Sequence, residues 1–266
     1  MIFAHIPIVV NRHEVVRYLG YKKQKSESTD EIDRLIDKCI RESAYVIEAK
    51  GVIRQLAITS KNADRQEIEC NAGEYRIRGE RIFKHLQPCD SLTLMTVTVG
   101  EGLDREVERL FDTQSPTRAL IIDAIGSDAV ERAADYINEY VNKDAQRKGY
   151  ATRFRFSPGY GGWSVEHQPD LLRAVDGAAV GITVTDSCQL HPRKSVSAVI
   201  GWYIPGDGNS GDTLGDGEHS AEAGAEYSGE RNGEQPIQAE TSLGQGNQAA
   251  KCGQCDAGDC QFRSDG

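Results

Sequence analysis

Apolar positions recur at intervals of three and four along some stretches of the chain and alternate with polar ones along others. A single stripe runs through Ile32, Leu35, Ile36, Cys39 and Ile40, the pattern of a helix lying on a core, and Ser28, Thr29 and Asp30 open it. That stripe assigns Cys39 to packing. A shorter helix is expected over RHEVVRYLG, with Asn11 as its cap, Glu14 in its first turn and Gly20 at its close. From Ser115, with Pro116 at the first helical position, a helical pattern runs to about Lys148 and is interrupted only by Gly126. Such a helix is roughly 50 Å long, enough to cross a whole domain.

Residues 52–59, 66–70 and 92–99 alternate or are β-branched and predict strands, with a helix over RGERIFKHL before the last. Beyond Gly149 the pattern changes to short strands and turns: TRFRF, SPGYGG, a brief helix over 169–175, then GITVTDSC and SVSAVIGWYI. No strand–helix alternation repeats, and no repeat of solenoid period is present. The expectation is an α+β fold, a twisted and largely antiparallel sheet with long helices, not a doubly wound nucleotide-binding fold.

Composition changes this picture at the C-terminal end. The 266 residues are 38% hydrophobic, enough to fill a core, but residues 206–250 hold ten glycines, nine acids and one base with almost no large apolar side chain. Too little apolar area is present there to offset the entropy of ordering, so 206–250 is expected to be a disordered linker behind a folded domain at 1–205. Most of the net charge of −10 belongs to that linker, and the folded part is close to neutral. An acidic chain lacks the basic face a phosphate backbone needs, which argues against nucleic acid as a partner. No apolar run approaches a membrane span, and MIFAHIPIVV lacks the basic start of a secretory signal; a cytoplasmic protein without membrane attachment is expected.

The last segment, 251–266, is a Cys-rich tail in which Cys252, Cys255 and Cys260 follow a C-x2-C-x4-C spacing. Thiolates at that spacing can reach one ion, which suits zinc or an iron–sulfur cluster. Only three ligands are local, so a fourth would come from Cys188, Asp256, Asp259, solvent or another chain; the alternative is a plain thiol tail. Seven cysteines, an odd number in a chain of this size, favour reduced thiols or a metal site over a disulfide framework.

Three other motifs carry candidate chemistry. Gly100 and Gly102 stand between a strand and a helix, the position of a dinucleotide loop, but the third glycine is missing and a tight turn explains the pair. The six histidines have no metal-ligand spacing, and there is no nucleophile elbow or P-loop, so hydrolase and nucleotide-triphosphatase chemistry has no support and no catalytic residue is assigned. The run RFRFSPGYGG at 153–162 concentrates arginine, aromatic, proline and glycine in one bend. It can grip a carboxylate and cover a flat or cationic group; equally, it can be a Pro-Gly turn with arginines facing water. On the long helix, Asp123, Glu131 and Asp135 fall near the face that also carries Leu120, Ala124 and Ala134, where a carboxylate wants a cation; Glu131 could pair with a helix neighbour at Arg132 or with Arg155.

Four blocks in order, TVG with GLD, then DAIGSDAVERAADY, then RFSPGYG with VEH, then GITVTDSCQLHP and SVSAVIGWY, resemble the reductive-activation domain of cobalamin-dependent methionine synthase, here as a stand-alone chain. The resemblance covers about 96–203. It implies a domain that binds S-adenosylmethionine and presents its methyl group to cobalamin that has lapsed into the inert cobalt(II) state. By position, Glu131 resembles the carboxylate for the ligand's ammonium and Arg155 the grip on its carboxylate, while Ser157, Gly159 and Tyr160 match the turn lining the ligand. Ser157 stands where the family's turn has alanine, and Gly161 where it has proline. The implied partners are a cobalamin-dependent methionine synthase or another corrinoid protein, which carries the cobalamin, and a flavodoxin- or ferredoxin-type electron donor. A second reading makes the chain a redox reactivator of a corrinoid protein whose Cys-ligated tail site passes the electron.

Overall fold

The structure is a computed structural model that describes residues 1–20 and 30–206. Ser28, Thr29, the linker beyond Gly206 and Cys252, Cys255 and Cys260 of the tail lie outside the described residues.

The elements in chain order are β1 (Ile2–Phe3), α1 (Arg12–Tyr18), α2 (Asp30–Ser43), β2 (Lys50–Asn62), β3 (Glu67–Cys70), β4 (Tyr75–Arg78), α3 (Glu80–Leu86), β5 (Ser91–Thr98), α4 (Gly102–Asp112), α5 (Pro116–Arg147), β6 (Ala151–Thr152), α6 (Gln168–Val175), β7 (Thr183–Val184), β8 (Leu190–His191) and β9 (Ser195–Tyr203). Every strand pairing among the described residues is antiparallel. The main sheet runs β4-β3-β2-β5-β9-β6, and β7 and β8 form a separate ribbon. Strand β2 organises it. One edge of β2 pairs with β5 along 50–57; the other pairs first with β1 and then, from Ile58 on and with a register shift between Ile58 and Ser60, with β3. The expected α+β class, with its curled antiparallel sheet, is the observed one.

Both faces of the sheet are covered, which is why β5 is buried along nearly its whole length. Met95, Val97, Ala198, Ile200 and Trp202 point to a core shared with α1, α2, α4 and α5. Leu92, Leu94 and Val199 point to the other core, closed by α3, α6 and Trp163. Helix α5 crosses the first core as one unbroken element through Gly126. It comes down hardest at Gly51, where a Cβ would overlap Ile137 and stand 2.9 Å from Val97 Cγ1.

Several expectations need correction. Leu120 is 57% exposed, not part of the apolar stripe; the stripe runs through Ile121, Ile122, Ile125, Ala129 and Ala133, one step of about 100° around the helix. The TRFRF strand shrinks to two residues of β6 plus one bridge between Phe156 and Val199. Strand β2 outruns its apolar pattern to Asn62, because the ladder to β3, not burial, holds its polar end. Strand β4 was not anticipated. No helix among the described residues is long and apolar enough to cross a membrane.

Candidate functional site

After β6 the chain stays beside β9: Arg153 N–H donates to Gly201 at 2.8 Å, and Phe156 and Val199 exchange two bonds of 2.9 Å. Phe154 and Phe156 turn to the buried His85, with ring centroids 4.3 and 5.2 Å away. Arg155, between them, turns the other way, onto α5. Its Nη2 donates to Glu131 Oε2 and its Nη1 to Asp135 Oδ1, each at 2.6 Å. Glu131 and Asp135 are four residues apart, hence neighbours on one helix face. The structure thus brings together Glu131 and Arg155, which are far apart in the chain, and adds Asp135 as a third member.

The surroundings of the two acids differ. Glu131 is 27% exposed and Asp135 50%, while Arg155 is only 16% exposed. Burial pushes the Glu131 carboxyl above its ordinary range; Arg155 opposes that shift and the Asp135 charge adds to it. One turn earlier the buried Asp128 accepts from Asn11 N–H at 2.7 Å, which ties the start of α1 to the same stretch of α5. Desolvation raises its carboxyl as well. Three acids at i, i+3 and i+7 therefore line this part of α5, and two of them share one guanidinium.

Ser157, Gly159 and Tyr160 follow Arg155 directly, in a bend closed by its own backbone. Gly159 N–H donates to Trp163 at 2.7 Å, and Trp163 N–H to Tyr160 at 2.8 Å. Trp163 is buried and anchors the bend. Gly159 has φ +90°, which disfavours a side chain, and a Cβ at Gly161 would stand 2.6 Å from Phe156 Cζ. The Pro-Gly turn is real, but its arginine is held by acids and does not simply face water.

Gly100 and Gly102 serve packing. Gly100 N–H donates to Thr98 Oγ1 at 3.0 Å, and a Cβ at Gly102 would lie 2.5 Å from the Val46 carbonyl. A cavity of about 350 Å³ opens beside them, lined among others by Tyr45, Lys50, Arg105 and Pro192. None of Glu131, Arg155, Ser157, Gly159 or Tyr160 lines it. Glu131 and Arg155 meet directly, so a ligand at this site has to enter by replacing a partner. Cys188, a candidate fourth metal ligand, sits in the β7–β8 turn, and no group of three or more His, Cys, Asp or Glu among the described residues could hold a metal ion.

No protein-family model matches the sequence, and no curated protein matches it. A solved structure does. The MetH reactivation domain bound to AdoHcy superposes with a TM-score of 0.53 and 14% identity, over 72% of this chain and 73% of that one. The chain has that fold. Identity so low carries the architecture and leaves the ligand to be argued from the residues. The sequence places Asp135 on the same helix face as Glu131, four residues on, without assigning it to the ligand; the bond from Arg155 adds it to the site.

Proposed function

We propose that this chain binds S-adenosylmethionine and supports the reductive methylation of inactive cob(II)alamin on a separate methionine synthase or related corrinoid protein. The observation that carries this reading is the Arg155–Glu131 contact at the RFSPGY bend, in the fold of a domain solved with AdoHcy bound. The opposite charges suit an α-amino acid. Arg155 can take the carboxylate with charge-assisted bonds, Glu131 the ammonium, and the ring of Tyr160 can lie against the sulfonium. Ser157 and Gly159 would line the amino-acid end.

The partner's reduced cobalt would supply the nucleophile, so this chain needs to hold and orient the methyl donor and keep water from it. That division of labour agrees with the lack of any acid–base dyad in the motifs of the sequence. A flavodoxin- or ferredoxin-type donor belongs to the same proposal. The redox-reactivator reading rests on Cys252, Cys255 and Cys260, outside the described residues, and nothing within them favours it.

Calorimetry with S-adenosylmethionine tests the reading. The wild-type chain is expected to bind, and Arg155→Ala or Glu131→Ala to weaken binding roughly tenfold or more, the effect of losing a charged hydrogen-bond partner. Absence of heat with the wild-type chain would overturn it. The trans role is tested by adding the chain to a corrinoid protein in its cob(II)alamin form with reductant and ligand, and measuring the return of methyl transfer.

A further inference from the structure

Each Nη of Arg155 is held by a carboxylate, and the two acids differ in what it costs to release them. Glu131 is the more buried, and the guanidinium facing it opposes the rise in its carboxyl that burial causes. Asp135 is half exposed, so on leaving Arg155 it regains water at little cost. Arg155 cannot be left half-bare, since a largely buried guanidinium without a partner is strongly unfavourable. One exchange satisfies all three groups. An incoming carboxylate takes Nη1, Asp135 swings into solvent, and Nη2 keeps Glu131.

We propose that Asp135 is a placeholder for the carboxylate of the bound amino acid, occupying one arm of Arg155 until the ligand's own carboxylate displaces it. This rests on the reading that Arg155 grips the amino-acid end of the ligand. The placeholder has two effects. It keeps Arg155 extended toward α5 in the empty site, so the arm is aimed before the ligand arrives. It also sets a threshold that favours ligands with a free carboxylate, because a decarboxylated or esterified analogue brings no negative charge to replace that of Asp135 at Nη1. The ligand class is therefore an α-amino acid with a free carboxylate joined to the adenosyl group.

The test is calorimetry of the full chain with S-adenosylhomocysteine, whose amino-acid end carries no net charge, so that removing the Asp135 charge leaves no simple Coulomb attraction to lose. Wild type, Asp135→Ala and Asp135→Asn are compared, with 5′-methylthioadenosine, which lacks the amino acid, as a second ligand. A melting curve for each variant establishes that it is folded. The expected result is a roughly two- to fivefold gain in affinity for S-adenosylhomocysteine in both variants, the size of a half-exposed ion pair, with methylthioadenosine unchanged. If the wild-type chain binds S-adenosylhomocysteine and the variants bind it equally or more weakly, the placeholder is overturned while the binding reading stands. A gain of the same size for methylthioadenosine overturns it too, since the effect would then not involve the carboxylate. If no form of the chain binds S-adenosylhomocysteine, the binding reading fails and the placeholder falls with it.

Discussion

Arg155 Nη2 stands 2.6 Å from Glu131 Oε2, and this contact, with the one to Asp135, joins the bend after β6 to the middle of α5. It also favours the charged form of a carboxyl whose burial works against charge. Without Arg155 the burial that already raises the Glu131 carboxyl acts unopposed.

The first prediction follows from that sign. A carboxyl whose folded-state value lies above its unfolded value takes up protons on folding, so stability falls as pH rises through the window between the two. In Arg155→Met that window widens upward. The variant is expected to be destabilised by about 1–3 kcal/mol at pH 8 and by less at pH 5, since falling pH favours the protonated form of Glu131, which burial without Arg155 penalises less. Urea unfolding at the two pH values measures it; an equal loss at both would contradict this account.

His85 supplies a second pH effect. Burial, and then the nearby charge of Arg153, lower its value to about 4, against a bond from Nε2–H to the Phe154 carbonyl. A lowered histidine binds fewer protons folded than unfolded, so stability is lost as pH falls from about 6.5 toward 4. The protein is expected to lose up to about 3 kcal/mol from this group across that range. In His85→Phe the acid-dependent part of the loss shrinks, which thermal melts at pH 7 and pH 4.5 would show.

Two glycines are required by what lies over them. At Gly51 a methyl group would press into Ile137 of α5, and at Gly102 into the Val46 carbonyl, which is backbone and cannot turn aside. Gly51→Ala and Gly102→Ala are each expected to cost about 1–3 kcal/mol, the range for overpacking a filled site. Equilibrium denaturation gives the numbers. A neutral Gly102→Ala would mean that the loop before α4 is kept open for some reason other than packing.

Trp163 is expected to hold the bend for binding as well as for stability. It is buried between Phe156 and the turn, with ring centroids 6.3 Å apart to Phe156. Trp163→Ala should cost about 3–5 kcal/mol and release Ser157, Gly159 and Tyr160 from their fixed path. Trp163→Phe, which keeps most of the volume, should recover the larger part of both stability and ligand affinity. A Trp163→Ala protein that melts lower but binds as well as the wild type would show that the bend does not need its anchor.

The sequence by itself determined the elements whose cause is local. Asn11 caps α1 and accepts from His13 N–H as expected, Pro116 opens α5, and β5 and β9 follow from runs of β-branched and apolar residues. It also offered Arg155, alongside Arg132, as a partner for Glu131. Only the tertiary structure decided that Arg155 and Glu131 touch each other, that Asp135 competes for the same arginine, and that Leu120 lies off the stripe. It alone decided that β2 runs on to Asn62 and that YRIR becomes strand β4. The physical reason is range. Caps, periodicity and turn residues act within a few positions, whereas the reach of Arg155 depends on the register of the chain beside β9 and on where α5 comes to rest over Gly51. Those are set by the packing of two cores against one sheet, which no short window of sequence contains.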